Sequence, residues 1–438
     1  MHMNTWIDRC DRYCVIGAGP SGLAAARNLV EQGVECDILE RHSAIGGIWD
    51  IENPHSTVYD NTYTITSKKV TAFPDFPFAE NDPDYLHHPR VLKYLRDYAE
   101  RFDLVSRTRF DSEVTRVERQ GECWDVFLAS GECLRYQGLI VANGHNWSPK
   151  LPAVSGEFKG QVCHSSTYRN PEGLAGKRVL VVGAGNTGCD IAVEVSHAAA
   201  STHLSMRRGY YFVPKFIFGI PADELGQRSQ SSLVPLAVVR FFYRLLLRLT
   251  VGKPEHYGLP APDHALLESP PIVNSLLPYY VAHRRVQVRP DIAHINGYQV
   301  VFTDGRCESY DAIIHATGYE IVFPFIDRRH LNWKDGRPDF YMMCFHPEYD
   351  NFFIAGLTDG TGGHFPTVDL QTRVIAGYIA ALRNKSPAAL VLKEKKRNGN
   401  IDFSKGIRFI RSSRSLTQFE LATFTAHMRR WIRQLSPA

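Results

Sequence analysis

Gly17-Ala18-Gly19-Pro20-Ser21-Gly22 and Gly183-Ala184-Gly185-Asn186-Thr187-Gly188 repeat one glycine spacing, G-x-G-x-x-G. Each follows a short apolar run, Cys14-Val15-Ile16 or Val179-Leu180-Val181-Val182, and each opens a helix-like stretch. Glycines in a strand–turn–helix let the backbone approach a pyrophosphate, with the free N–H groups of the helix start aimed at it. One copy is a weak signal, because tight turns use glycine for other reasons. Two copies in the right context predict two dinucleotides on one polypeptide, and so electron transfer between a flavin and a nicotinamide.

The first unit continues as a helix over 22–32 and a strand over 34–39 that ends at Glu40. An acidic residue about 20 positions beyond the glycines suits a ribose hydroxyl. Arg41 and the pair Gly46-Gly47 follow, and those glycines permit a second close backbone approach. Trp49 reads as a core anchor or as a wall beside the cofactor. The second unit reads as a strand over 178–182, a helix over 186–196 and a strand over 202–205. Arg207 and Arg208 come next, where the first unit has Glu40. Arginine there suits a 2′-phosphate that a carboxylate would repel. The first unit is therefore assigned to FAD through Gly17, Gly19, Pro20, Ser21, Gly22, Glu40, Arg41, Gly47 and Trp49. The second is assigned to NADPH through Gly183, Gly185, Asn186, Thr187, Gly188, Arg207 and Arg208.

Short strands are expected between Val114 and Val141, ending in Leu139-Ile140-Val141-Ala142-Asn143-Gly144. A related string returns as Ala312-Ile313-Ile314-His315-Ala316-Thr317-Gly318. This echo brackets the second unit. The expectation is an α/β fold of two Rossmann-type dinucleotide-binding domains, the NADPH domain inserted into the FAD domain. Its divisions are residues 1–150 (FAD, first part), 151–310 (NADPH) and 311–438 (FAD, second part, with C-terminal helices).

The 438 residues suit two or three domains, and 44% hydrophobic with 22% charged residues is ordinary for a globular protein. Fifty basic against 46 acidic residues, net +4, is too balanced for a nucleic-acid footprint. Nine dispersed cysteines show neither CxxC nor Cys/His ligand spacing, so no metal and no redox disulfide is expected. Such a set fits a reducing compartment, and the cytoplasm is the expected location. A first strand near Tyr13 reads as leaving no room for a signal peptide, and no apolar run is long enough to span a membrane. The stretch 233–250 carries Arg240, Arg244 and Arg248 on an apolar helix. It reads as a helix buried against the protein with arginines reaching water. A peripheral membrane contact, a homodimer contact or a substrate-entry rim fits the same pattern.

Ahead of the second glycine turn stands Phe158-Lys159-Gly160-Gln161-Val162-Cys163-His164-Ser165-Ser166-Thr167-Tyr168, or F-x-G-x-x-x-H-x-x-x-Y. It resembles the signature of the flavin-containing monooxygenases, which are class B flavoprotein monooxygenases. Gly46-Gly47-Ile48-Trp49, Thr66-Ser67-Lys68-Lys69, Phe73-Pro74-Asp75-Phe76-Pro77, Arg207-Arg208-Gly209-Tyr210 and Ala316-Thr317-Gly318-Tyr319 resemble the same family. So does Phe352-Phe353-Ile354-Ala355-Gly356-Leu357. The sister Baeyer–Villiger enzymes usually carry tryptophan where Tyr168 stands.

The resemblance implies a reaction cycle. NADPH reduces FAD, reduced flavin traps O2 as a C4a-hydroperoxide, NADP+ stays bound, and nitrogen or sulfur of a small organic substrate takes the distal oxygen. Oxygenation of a carbonyl compound, and an uncoupled NADPH oxidase or reductase, are the alternatives. The absent CxxC speaks against a disulfide reductase. The resemblance also adds His164, Tyr168, Thr317 and Gly318 to the candidate site residues. In many relatives an asparagine stands where this chain has Ile65, which cannot donate a hydrogen bond. Thr64, Thr66 or Asn61 is left to supply the polar contact. A helix expected to start near Asp369 would aim its first amides, beside Gln371, at the flavin. His364 lines the substrate side or caps a turn.

Overall fold

The computed structural model of this chain describes residues 5–229, 234–360, 362–399, 401–410 and 415–436. Leu233, Pro437 and Ala438 lie outside the described residues.

The first sheet contains β1 (Thr5–Ile16), β2 (Cys36–Leu39), β3 (Thr108–Arg109), β4 (Val114–Gln120), β5 (Cys123–Leu128) and β6 (Glu132–Val141). Their spatial order is β3-β2-β1-β6-β5-β4. β1 runs parallel to both β2 and β6, whereas β4, β5 and β6 form an antiparallel meander. β1 is longer than the expected strand near Tyr13, because Thr5–Arg9 also pairs with Glu132–Tyr136. Cys14 and Val15 are fully buried, as a central strand covered on both faces requires. Helix α1 (Pro20–Glu31) begins with proline, whose fixed φ and missing N–H suit a first turn. Its buried Ala24, Ala25 and Ala26 allow close approach to the sheet. Helix α2 (His88–Arg101) packs into the same core through Tyr94, Leu95 and Tyr98.

The second sheet is all parallel. After a two-residue strand β7 (Ser148–Pro149) come β8 (Gln161–His164), β9 (Arg178–Val182), β10 (Ser201–Ser205), β11 (Val286–Arg289) and β12 (Ala312–His315), in the order β11-β10-β9-β12-β8. Helix α3 (Asn186–Val195) follows β9. Ala312–His315 is hydrogen-bonded to β8 and β9, so the chain is still in the second sheet past residue 311. β13 (Tyr319–Glu320) then pairs with β7, and β14 (Phe352–Ile354) lies parallel to β6 in the first sheet.

The sequence echo has a counterpart in the sheets. Leu139–Val141 lies beside the strand of the first glycine turn, and Ala312–His315 lies beside the strand of the second. The two strings are equivalent strands of two units.

Helix α4 (Leu236–Thr250) corrects the expected burial. Leu247 alone is buried, while Phe241 (63% exposed), Phe242 (62%) and Leu249 (74%) face outward. Four residues overshoot a helical turn by about 40°. Arg240 therefore rotates inward onto Glu268 at 3.1 Å, leaving Arg244 and Arg248 beside the exposed apolar stripe. No helix among the described residues is long and apolar enough to cross a membrane. Helix α5 (His364–Arg383) starts earlier than expected, at His364 after Gly363, and buries its flank against α1 and α6 (Leu421–Leu435).

Candidate functional site

Both glycine turns are built alike. Gly17 has φ +109°, and a Cβ there would lie 2.7 Å from the Ala142 carbonyl oxygen. Gly183 has φ +105° and stands 2.5 Å from the Ala316 oxygen on the same measure. A Cβ on Gly22 or on Gly188 would come within 1.8 Å of the carbonyl oxygen of Gly17 or Gly183. The residues equivalent in the echo, Ala142 and Ala316, are the walls against which the turns close. Gly19 and Gly185 are the helix N-caps, and neither cap supplies a side chain, so the first-turn amides are open to an anion. Gly47 (φ +58°) approaches Gly19 so closely that a Cβ would stand 3.0 Å from its Cα.

Beside the first turn lies a cavity of about 420 Å3 at the carboxyl ends of β1, β2 and β6. Gly17, Gly19, Pro20, Ser21, Glu40, Arg41, Gly47 and Trp49 line it, with Thr64, Ile65, Thr66 and His364. Gly22 braces the turn from behind. Ligands of open α/β sheets bind at this edge. Glu40 is buried, and its carboxylate accepts the N–H groups of Ala18 at 2.6 Å and His42 at 2.9 Å. Arg41 lies 4.7 Å over the Trp147 ring. Thr64 uses its hydroxyl to accept the Leu86 N–H, and the Thr66 hydroxyl meets that of Thr71 at 2.8 Å. Asn61 points away, to Glu194 at 2.5 Å.

His145 and His364 also line the cavity, and burial pushes the pKa of each down to about 4. Each ring is therefore neutral at pH 7, and His364 Nε2 stands 3.4 Å from the Ser21 hydroxyl. His145 Nε2 and Thr358 Oγ1 are buried without a hydrogen-bond partner among the described residues. A glycine cradle, open helix amides and orphaned polar atoms on one cavity are what a phosphate-bearing cofactor with a polar ring system requires. The residues present fit a flavin dinucleotide.

Other expected site residues lie off that cavity. Tyr168 donates its hydroxyl to Glu194 at 2.7 Å and packs against Tyr59, so it ties a loop to α3. His164 ends β8, accepts the Ser166 N–H at Nδ1 and stands edge-on to Tyr319 at 5.4 Å. Thr317 donates its hydroxyl to the Lys150 carbonyl, and the Gly318 carbonyl accepts the Lys150 N–H at 2.9 Å, which fixes the connection between sheets. Gln371 is fully buried inside α5, where its Oε1 accepts the Gly356 N–H at 3.1 Å. Its place beyond the first turn of α5 corrects the expectation that it faces the cofactor. At the second turn, the Asn186 side chain accepts the Val273 N–H at 2.8 Å, and Thr187 is partly exposed in the first turn of α3. Arg207 is exposed, whereas Arg208 pairs with Asp263 at 3.2 Å.

Sequence reasoning missed Asn143, His145, Trp147, Thr358 and Asp359 on the cavity wall. A signal existed for the first three, which directly follow the echo strand. Thr358 and Asp359 follow Gly356 (φ +82°), the turn that ends β14.

The family model described as "Flavin-binding monooxygenase-like" matches residues 10–432. The chain is 32% identical over 409 residues to dimethylaniline monooxygenase (N-oxide-forming) 2 of Oryctolagus cuniculus, covering 87% of this chain and 76% of that relative. A flavin-containing monooxygenase from Stenotrophomonas maltophilia has the same fold, with TM-score 0.67 and 21% identity over 86% of this chain and 99% of that one. Cyclohexanone monooxygenase bound to ε-caprolactone also shares it, with TM-score 0.69 and 19% identity over 97% and 98%. The chain belongs to the flavin-binding monooxygenase family and is a flavin-dependent monooxygenase with two Rossmann-type units.

Proposed function

We propose that the protein is an NADPH- and FAD-dependent monooxygenase that places one oxygen atom of O2 on the nitrogen or sulfur of a small organic molecule. The observation that carries this reading is the pair of glycine turns, built alike at the ends of two parallel sheets. Gly17–Gly22 and the first amides of α1 hold the FAD pyrophosphate, with Glu40 at the adjoining ribose. Gly183–Gly188 and Arg207 hold the phosphorylated nicotinamide nucleotide. The pairing of β14 with β6 supports insertion of the nucleotide-binding unit into the flavin-binding one. Bound flavin supplies two-electron transfer and the activation of O2. The chain contributes position and exclusion of water, and the neutral His145 and His364 offer hydrogen bonds without adding positive charge.

A second reading, an NADPH oxidase releasing peroxide, is favoured by one observation. Ile65 places an apolar side chain, 41% exposed, on the cavity wall. The test is product analysis with NADPH, O2 and, in turn, an aryl methyl sulfide, a tertiary amine and a cyclic ketone. Sulfoxide or N-oxide in proportion to NADPH consumed is expected. Lactone alone, or peroxide equal to NADPH with every compound, overturns the proposal.

A further inference from the structure

The stretch 59–67 forms part of the cavity wall, yet the second unit holds it at both ends. Tyr59, itself buried, donates its hydroxyl to Asp190 at 2.9 Å. Asn61 donates to Glu194 at 2.5 Å. At the other end the Ser67 N–H is donated to Asp223 at 2.7 Å. Between these ends stand Thr64, Ile65 and Thr66, which face the cavity. Asp190 and Glu194 are one turn apart on α3, so they share a face. This helix opens on Gly183–Gly188, and Asp190 lies only about 6 Å along its axis from Asn186. Asn274 donates to the other Asp190 oxygen at 2.6 Å, which fixes the carboxylate that Tyr59 finds. The α3 end of the stretch thus hangs on two hydrogen bonds, while its middle is tied to the first unit by the paired Thr64–Leu86 bonds, so Ile65 stands between the two units.

We propose that Tyr59, held by Asp190, is a positioning residue that sets the stretch carrying Ile65 and Thr66 according to the nucleotide seated at the second glycine turn. This rests on the assignment of that turn to the nicotinamide nucleotide. Coupling of this kind is reciprocal, so nucleotide binding must order the stretch, and cutting the link must cost that ordering.

The experiment is hydrogen exchange of peptides spanning 59–67 in the flavin-loaded protein, with and without NADP+, alongside an NADP+ titration. Wild type is expected to exchange about tenfold more slowly in this stretch when NADP+ is bound. Tyr59→Phe loses most of that difference while retaining its flavin. Asn61→Ala, at an exposed position, loses part of it and covers the case in which Tyr59→Phe folds poorly. In turnover, both variants release more peroxide per NADPH with kcat reduced, and in the titration their NADP+ affinity falls by up to the same factor as the lost protection. If wild type fails to bind NADP+, the nucleotide assignment falls and takes this inference with it. If wild type binds and both variants keep the full nucleotide-dependent protection, the assignment stands and the coupling is wrong.

Discussion

Glu40 accepts the backbone N–H of Ala18 at 2.6 Å, so the end of β2 is bolted to the first glycine turn. The residue expected to meet a ribose thus also braces the loop proposed to meet the phosphates. A charge-assisted bond of this kind contributes about 1.5–3 kcal/mol. Glu40→Ala is expected to lower stability of the flavin-free protein by about 2 kcal/mol and to reduce flavin retention, with Glu40→Gln milder in both. Chemical denaturation and the absorbance ratio of purified protein measure the two effects. Unchanged flavin-free stability in Glu40→Ala would refute the bracing role.

Arg207 and Arg208 part company in three dimensions. Arg208 already serves Asp263, while Arg207 is exposed. Arg207→Ala should raise the KM for NADPH about tenfold, equivalent to about 1.4 kcal/mol, with little change for NADH. Arg208→Ala should have a smaller effect. Equal effects of Arg207→Ala on both nucleotides would remove the phosphate contact.

The two cavity histidines make a prediction about acid. Burial holds both near pKa 4, whereas an unfolded histidine titrates near 6.5. Between those values the unfolded chain binds protons that the folded protein refuses. Stability is thus full above pH 6.5 and falls as pH drops toward 4, by at most about 1.4 kcal/mol per pH unit for each histidine. Thermal melts of the flavin-free protein from pH 7.5 to 4.5 should show this slope, and His145→Gln or His364→Gln should flatten it. Slopes identical to wild type in both variants would count against the burial effect.

Ile65 puts an apolar side chain on the cavity wall between Thr64, whose hydroxyl accepts the Leu86 N–H, and Thr66, whose hydroxyl is bonded to that of Thr71. Ile65→Asn supplies an amide at an exposed position, so the fold should tolerate it. A hydrogen bond of ordinary net strength would cut peroxide release per NADPH by up to about tenfold. A coupled peroxide assay decides the point, and a rise in peroxide would mean that the apolar side chain protects the site.

The turn sequences Gly17–Gly22 and Gly183–Gly188 were legible because the glycine spacing itself, closing Gly22 on Gly17 and Gly188 on Gly183, is local. The first and last glycines of each turn face backbone that lies within a few residues or on the neighbouring strand. The echo strings were legible as buried strands, but not as members of different sheets, because period and composition are the same in both units. Thr358 gave no sign of sharing a wall with Asn143 and His145, since that depends on β6 and β14 lying side by side.

Local chemistry along the chain thus determined the two glycine turns, the acidic and basic residues that follow them, and the family. Tertiary structure alone decided which polar groups were free to act. It engaged Tyr168, Gln371 and Arg208 elsewhere, left Arg207 exposed, and turned the apolar face of α4 outward. The physical reason is that a side chain's type is written in the chain, whereas its hydrogen-bond partners and its distance from water are set by residues far away in sequence.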